Sequence, residues 1–274
     1  MINSEQAKGK LKIMVDLKKI IAEYPEEYCL LLEEAYGAGM MSEGGHEAVE
    51  IMFQYTDLPG KKALDIGFGL GGVAFYLAER YQTKVTGIEI NPWLAEEATR
   101  RCPQSLKDLV HFTAYQQPPL LPFDDDSFDF VYSKGVLTHL DDKLPLFKEV
   151  YRVLKPGGEL VIDDWLSPVK GQWGARLQQM CDMENLTLFA ETEENYHDLL
   201  AAAGFSEIQM RDENKNYARY NQKIVDSLSR LEDKAGFDQR FGENALQETI
   251  DSYQMITDSI TNNELLIRWL RSKV

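Results

Sequence analysis

The sequence predicts an α/β fold in which a mostly parallel, seven-stranded sheet has helices on both faces. A helical cap is expected before the first strand and a helical insertion before the last. Three observations support this prediction: short apolar runs alternate with amphipathic stretches from residue 63 onward, glycine-rich turns separate them, and helical periodicity occupies both ends of the chain. Such alternation is typical of parallel strands joined by crossover helices.

The individual elements follow from the spacing of apolar residues. Over 11–36 these residues recur at helical spacing, and Pro25 is expected to start a second helix because proline is tolerated in a first turn. A glycine-rich hinge follows at 37–45. Strands are expected at 63–66, 84–90, 110–114, 128–133, 159–163, 206–210 and 265–270. Helices are expected at 47–55, 73–80, 94–101, 144–154 and 192–203, with a turn at 155–158 and a mobile helical segment at 169–188.

The order of these elements predicts four segments. Residues 1–45 are expected to form the cap, 46–216 a ligand-binding α/β core, 217–262 the insertion, and 263–274 the last strand of the core. We expect the insertion to cover a small-molecule pocket.

Composition excludes several classes of function. The 274 residues carry a net charge of −16, which would repel phosphate backbones, so nucleic acid is not an expected partner. The three cysteines and four histidines are scattered, which predicts reduced thiols and no metal site. An apolar leader and a long apolar span are both missing, so we expect a cytoplasmic protein without membrane insertion. A monomer or a homodimer is expected.

The segment 63–72 (ALDIGFGLGG) ends an apolar run with Asp65 and then places several glycines close together. Glycines let the backbone turn sharply from a strand into a helix and let a ligand approach the main chain. The spacing fits G-x-G-x-x-G, so a dinucleotide site is one interpretation. Asp65 favours another, because its carboxylate would repel a pyrophosphate and attract the sulfonium or ammonium of S-adenosylmethionine.

Glu89 strengthens the second interpretation. It ends an apolar run at 85–90, roughly 20 residues past the glycines, where a nucleoside-binding βαβ unit places the acid that accepts both ribose hydroxyls. The alternative is that Asp65 belongs to an ordinary helix N-terminal turn and Glu89 is a surface acid at a strand end. We expect S-adenosylmethionine as methyl donor and S-adenosylhomocysteine as product.

Longer motifs resemble the class I S-adenosylmethionine-dependent methyltransferases, which have a Rossmann-like fold. Within that class the chain is most similar to the phosphoethanolamine N-methyltransferases. The motifs that carry the resemblance are ALDIGFGLGG (63–72), GIEIN (87–91), LPFDDDSFDFVYS (121–133) and LFKEVYRVLKPGGELVIDDW (146–165), with YGAGMMSEGG (36–45) and SKGVLTHLDDK (133–143) as the closer features.

The resemblance implies roles for individual residues. Asp65, Gly67 and Gly69 would hold the methionine end of the donor, and Glu89 and Ile90 its ribose and adenine. The remaining donor-site candidates are Met41, Ser42, Tyr115, Gln116 and Ser133. The segment 115–117 replaces an acid that contacts the adenine amino group, and a glutamine carbonyl can accept the same hydrogen bond. The family's catalytic tyrosine–histidine pair falls on Tyr24 and His139.

Several departures from the family pattern concern the methyl acceptor. Lys134 and Gly135 replace an Arg-Asp pair, and Trp165 replaces a tyrosine; all three are candidate substrate-binding residues. The arginine and tyrosines that grip phosphate have no clear match in 182–189 (DMENLTLF), and the family's phosphate-binding lysine aligns near Tyr253. Burying a phosphate without cationic partners costs several kcal/mol. The acceptor therefore stays open between phosphobase-like and sarcosine- or dimethylglycine-like amines, with Arg176 or Arg211 as carboxylate partners.

We predict N-methylation of a small-molecule amine, with His139 as a general base whose pKa lies near neutrality. The alternatives are O- or C-methylation of a small natural product, an NAD(P)-dependent oxidoreductase, and a non-catalytic module that retains the donor fold. At the level of residues, His139 could instead cap a helix, Tyr24 could anchor the cap, and Trp165 could serve only in packing.

Overall fold

The computed structural model describes residues 17–274. The strands are β1 (Lys62–Ile66), β2 (Lys84–Glu89), β3 (Val110–Ala114), β4 (Phe128–Lys134), β5 (Leu154–Leu166), β6 (Ser206–Asp212) and β7 (Leu266–Lys273). The α-helices are α1 (Leu17–Glu23), α2 (Glu26–Tyr36), α3 (Gly45–Phe53), α4 (Gly72–Tyr81), α5 (Pro92–Arg101), α6 (Leu144–Val153), α7 (Ala175–Met183), α8 (Glu193–Ala203), α9 (Asn214–Ser229), α10 (Lys234–Phe241) and α11 (Ala245–Thr261).

The seven strands form one sheet in the order β3-β2-β1-β4-β5-β7-β6. The pairs from β3 through β5 are parallel, whereas β7 runs antiparallel to both β5 and β6. Helices α9, α10 and α11 lie in the chain between β6 and β7, where the insertion was expected. The predicted fold class is confirmed, and the domain boundaries stay a prediction.

Both faces of the central strands β1 and β4 are buried, as their continuous apolar character predicts. Leu64 in β1 belongs to a core cluster with Phe147 of α6 and Tyr196 of α8. Its neighbour Ala63 belongs to a different cluster, together with Met52 of α3 and Leu77 of α4. Successive side chains of a strand point to opposite faces, so one short strand supports both layers.

The N-terminal cap is held against the rest of the chain by polar contacts. Pro25 separates α1 from α2, as expected, and the first 16 residues of the predicted cap lie outside the described residues. The buried Glu23 accepts hydrogen bonds from the backbone N–H of Thr187 at 3.1 Å and from its hydroxyl at 2.7 Å. The Tyr28 hydroxyl donates to the carboxylate of Glu184. These contacts join the cap to the segment that follows α7.

Two local expectations differ from the structure. Strand β5 is longer than expected, because Phe128 pairs with Leu154 and Phe130 with Glu159, so residues 155–158 bulge out of the ladder. The segment Lys155-Pro156-Gly157-Gly158, expected as a turn before the strand, is thus a bulge within β5. The helix expected at 169–188 is confined to α7, since Val169 and Gln172 form an isolated bridge before it.

Candidate active site

A cavity lies at the carboxyl ends of β1 and β4, where the strand order changes direction. The chain leaves β1 toward β2 and β3 and returns to the opposite side of β1 as β4. Ligands of open α/β sheets bind in the crevice at such a switch point. The cavity is lined by the turn after β1, the ends of β2 and β4, the hinge before α3, and helix α1 of the cap.

The glycine turn after β1 has a backbone that other residues rarely adopt. Gly67 has φ +78° and Gly69 has φ +54°. A Cβ atom on Gly67 would lie 2.5 Å from a methyl carbon of Val136, and one on Gly69 would lie 2.8 Å from Sδ of Met41. Glycine is therefore required at both positions, because the φ angles are positive and because Val136 and Met41 leave no room for a Cβ atom. The turn presents bare main chain to the cavity, which suits a ligand that binds against the backbone.

Replacing Gly67 with alanine is expected to destabilise the protein by about 1–3 kcal/mol, because it adds a clash to a positive φ. Gly60 is the matched control, since its φ is +70° but an added Cβ would meet nothing within 4 Å. Comparing the loss of unfolding free energy in Gly67→Ala and Gly60→Ala, measured by thermal unfolding, separates the effect of the clash with Val136 from that of backbone strain. Equal losses in the two variants would show that the approach of Val136 contributes nothing.

Two buried carboxyl groups flank this turn. Asp65, at 3% exposure, accepts a hydrogen bond of 2.7 Å from the Tyr132 hydroxyl, and burial raises its pKa to about 7. Glu89 accepts hydrogen bonds from the backbone N–H groups of Gly69 at 3.1 Å and Asn91 at 3.0 Å, and burial raises its pKa as well. Neither acid forms an ion pair among the described residues, so a cationic ligand would stabilise both charges. The glycine cradle and the two acids fit a methyl donor that carries a sulfonium and an ammonium.

Most of the residues predicted for the donor site lie around this one cavity. The lining includes Met41, Ser42, Asp65, Gly67, Gly69, Glu89, Ile90 and Tyr115. Two predicted residues do not line it. The Ser133 hydroxyl is buried and donates to the Ile66 carbonyl at 3.1 Å, which ties β4 to β1. Gln116 is exposed, and its amide nitrogen donates to the Ile90 carbonyl at 2.7 Å.

The predicted pair Tyr24 and His139 is in contact, although 115 positions separate the two residues. The Tyr24 hydroxyl lies 3.1 Å from Nε2 of His139, and the rings meet edge to face with centroids 5.4 Å apart. Tyr24 follows α1, and its carbonyl accepts a hydrogen bond from the Asn91 amide at 3.0 Å. His139 ends a short 3-10 turn, Leu137–His139, that follows β4. The cap and the core thus each supply one member of the pair.

The expectation of a near-neutral pKa for His139 is wrong. Burial removes the solvent that would stabilise an imidazolium and lowers the pKa of His139 to about 4. Burial also raises the pKa of the Tyr24 hydroxyl. Both groups are therefore neutral at physiological pH. The neutral imidazole retains a lone pair that can accept a proton.

A second pocket adjoins the first and shares with it Tyr24, Met41, Ser42, Gly135 and His139. Apart from Thr138, the side chains specific to this second pocket are aromatic, apolar or acidic: Tyr28, Leu32, Tyr36, Glu43, Trp165, Met180, Glu184, Leu186, Leu188, Tyr253 and Ile256. We call it the aromatic pocket. Its shared wall carries the Tyr24–His139 pair, so a molecule in either pocket can reach that pair.

The three residues predicted to bind substrate line different parts of the two pockets. Trp165 lines the aromatic pocket, and Gly135 lies between the two pockets. Lys134 lines the first cavity, and its ammonium donates to the Ser42 hydroxyl and the Glu43 carbonyl, both at 3.0 Å.

The expected carboxylate partners Arg176 and Arg211 line neither of these two pockets. Arg176 pairs with Glu264 at 2.6 Å, and Arg211 stacks over the Trp269 ring at 4.4 Å. That expectation is therefore wrong, because both guanidinium groups already have partners elsewhere in the fold.

Sequence reasoning did not assign Tyr28, Tyr36, Glu43 and Glu184 to the site. Glu184 lies within the segment 182–189, which lacks the phosphate-binding residues of the family. The position of this segment in the family pattern could therefore have indicated that Glu184 belongs to the acceptor site. Glu43 and Tyr36 lie within the motif at 36–45 that supports the resemblance. Sequence spacing alone could not show that these residues and Tyr253 of α11 surround one pocket.

Comparisons with known proteins are consistent with this geometry. A family model described as a methyltransferase domain matches residues 64–162. Phosphoethanolamine N-methyltransferase 1 of Zea mays is 32% identical over 216 residues, which cover 77% of this chain and 41% of the maize protein. The phosphoethanolamine N-methyltransferase of Plasmodium falciparum (isolate 3D7) is 30% identical over 195 residues, which cover 69% of this chain and 71% of that protein. The chain thus spans less than half the length of its plant relative.

A solved structure has the same fold. It is phosphoethanolamine N-methyltransferase 2 of Haemonchus contortus, in complex with phosphomonomethylethanolamine and S-adenosylhomocysteine. It superposes with a TM-score of 0.81 and 20% sequence identity, over 92% of this chain and 58% of the other.

Proposed function

The chain belongs to the phosphoethanolamine N-methyltransferase family of class I S-adenosylmethionine-dependent methyltransferases, and on that premise we propose that it methylates the nitrogen of a small amine. The observation that carries the proposal is the position of the Tyr24–His139 pair in the wall between the donor cavity and the aromatic pocket. Transfer between two bound molecules requires such a junction, because the reacting atoms must lie about 3 Å apart.

The donor-binding roles follow from the two acids and the glycine turn. Asp65 would balance the positive charge at the methionine end of the donor, and Glu89 would accept the ribose hydroxyls beside its two backbone hydrogen bonds. Met41, Ser42, Ile90 and Tyr115 would form the walls around it. When bound, S-adenosylmethionine would supply an electrophilic methyl group: the amine lone pair would form a bond to the methyl carbon in line with the C–S bond, which breaks with its electron pair on the leaving thioether.

The acceptor reacts as a neutral amine, so the site must remove a proton from its ammonium form. The Tyr24 hydroxyl oxygen can accept that proton as its own proton moves to Nε2 of His139, 3.1 Å away. Burial lowers the pKa of His139 to about 4, so the histidine is neutral when the acceptor binds, and the same burial makes it a weak base whose proton must pass on. We infer that Tyr24 and His139 act together as the catalytic pair, with Trp165 as one wall of the acceptor site.

A ligand-stabilisation experiment tests the donor assignment. At about 100 times its Kd, S-adenosylhomocysteine is expected to add roughly 2.7 kcal/mol to the unfolding free energy, because it binds only the folded protein. NAD at the same concentration is expected to leave the melting temperature unchanged. Differential scanning fluorimetry with each ligand measures both shifts. A rise in melting temperature with NAD but not with S-adenosylhomocysteine would contradict the proposal.

The localisation, oligomeric state and partners of the enzyme are also proposals. We propose a cytoplasmic monomer or homodimer that acts on a small molecule and not on nucleic acid, which agrees with the charge of −16 and with the free thiols of Cys29, Cys102 and Cys181. Among residues 17–274, no helix is long and apolar enough to cross a membrane.

A further inference from the structure

The charge of the aromatic pocket points to its occupant. Two acids, Glu43 and Glu184, line this pocket, whereas no lysine or arginine is among its described lining residues. Lys134, in the neighbouring cavity, already donates to the Ser42 hydroxyl and the Glu43 carbonyl. Burial raises the pKa of both acids, although the nearby Lys134 ammonium opposes the shift at Glu43, and neither carboxylate forms an ion pair within the described residues. A bound cation would provide the missing partner.

Four buried polar atoms on residues that line this pocket have no hydrogen-bond partner. One is Nδ1 of His139, and the others are Oε1 of Glu43, Oγ1 of Thr138 and the hydroxyl of Tyr253, on residues that are 3%, 4% and 3% exposed. Buried polar atoms in folded proteins almost always have partners, and an exception calls for a ligand or an ordered water. The residues that carry these atoms belong to the hinge, the turn after β4 and helix α11, so different parts of the chain contribute them to the pocket.

Aromatic rings form much of the wall of this pocket. Tyr24 and Tyr28 have ring centroids 5.5 Å apart, and Tyr36 meets Tyr253 edge to face at the same centroid distance. Trp165 completes the set. Ring faces attract ammonium and methylated ammonium groups through the ring quadrupole, and carboxylates add charge attraction. An anionic group in this pocket would instead face two acids, and the ammonium of Lys134 in the adjoining cavity already lies 4.0 Å from the Asp163 carboxylate.

We propose that the aromatic pocket selects an acceptor whose cationic amine carries neither a phosphate nor a carboxylate group. The inference rests on the proposed function, because it names the acceptor class of that same site. The amine nitrogen would lie against the aromatic rings and beside Glu43 and Glu184, and Tyr24 and His139 would receive its proton before methyl transfer.

Calorimetric titration of the S-adenosylhomocysteine-saturated protein with choline and phosphocholine tests the inference. These two probes share a trimethylammonium group and differ by the phosphate. Choline is expected to bind at least about 10-fold more tightly, since only phosphocholine places an anion among the acids. Tighter or equal binding of phosphocholine would overturn the inference, and so would failure of both probes to bind.

Glu184→Gln gives a second test, because glutamine keeps the shape and still accepts the hydrogen bond from Tyr28 while removing the charge. The variant is expected to narrow the preference for choline severalfold and to keep its affinity for S-adenosylhomocysteine. The exposed Glu194 lines neither pocket, so Glu194→Gln is the matched control and should retain the full preference.

If Glu184→Gln does not fold, Glu43→Gln replaces it, with the same expected result. An unchanged preference in a folded variant of either acid would overturn the inference. The proposed function fails separately, namely if the unmodified protein does not bind S-adenosylhomocysteine. Methyl transfer to ethanolamine and phosphoethanolamine, followed by mass spectrometry, should rank the two acceptors in the same order as the probes.

Discussion

Replacing His139 with alanine is expected to lower the rate of methyl transfer by about 10²- to 10⁴-fold, the usual contribution of a positioned proton acceptor. The affinity for S-adenosylhomocysteine is expected to stay within a few-fold, because the glycine turn and the two acids are untouched. Tyr24→Phe removes only the hydroxyl that lies 3.1 Å from Nε2 and should also lower the rate. Single-turnover kinetics with calorimetric donor titration separates the two quantities.

The pH dependence provides a further check on His139. Because its pKa is about 4, the histidine is neutral above about pH 5 and its titration cannot limit the rate between pH 6 and 8. The pH–rate profile should therefore show no inflection near 6.5 from histidine. Full turnover of His139→Ala with unchanged donor affinity would remove His139 from the mechanism. The double variant Tyr24→Phe/His139→Ala should lose little beyond the single ones if the residues act as a unit.

Replacing Asp65 with asparagine is expected to weaken S-adenosylmethionine binding at pH 8 by roughly 10- to 100-fold, since hydrogen bonds to charged groups contribute about 1.5–3 kcal/mol. The asparagine oxygen can still accept the Tyr132 hydrogen bond, so the change is mainly one of charge. Isothermal titration at a series of pH values measures the effect.

The sign of the pH effect follows from the raised pKa of Asp65, about 7. Above that value the carboxylate is charged and attracts the donor, and below it the neutral acid resembles asparagine. The two proteins should therefore converge in affinity near pH 5–6 and separate as pH rises through 7. Glu89, whose pKa burial also raises, is present in both proteins, so the difference between them isolates Asp65. A constant difference at all pH values would contradict the assignment.

The fold could be predicted because its signals are local. Buried runs such as 84–90 and 128–133 are short, apolar and bounded by turn residues, and the structure has strands at Lys84–Glu89 and Phe128–Lys134. The segment 155–158 was predicted as a turn because Pro and Gly favour one. The pairing of Leu154 with Phe128 extends the ladder across it, which is a tertiary effect.

The candidate site was predicted less completely, since its properties depend on packing. The resemblance brought Tyr24 and His139 together, and the structure places them in contact. The low pKa of His139 could not be predicted, because it comes from burial by the folded cap. Ser133 follows the expected motif, yet its hydroxyl faces the Ile66 carbonyl. The direction in which a side chain points is not encoded in its position along a motif.

The docking of the cap has a kinetic consequence. Tyr24 contacts His139 only while α1 and α2 are packed against the core. Glu23 of α1 and Tyr28 of α2 hydrogen-bond to Thr187 and Glu184, and Glu184 lines the aromatic pocket. Helix α1 also lines the donor cavity, so the contacts that assemble the catalytic pair also enclose that cavity. Turnover at saturation would then be paced by undocking and escape of products, and should slow in viscous solvent.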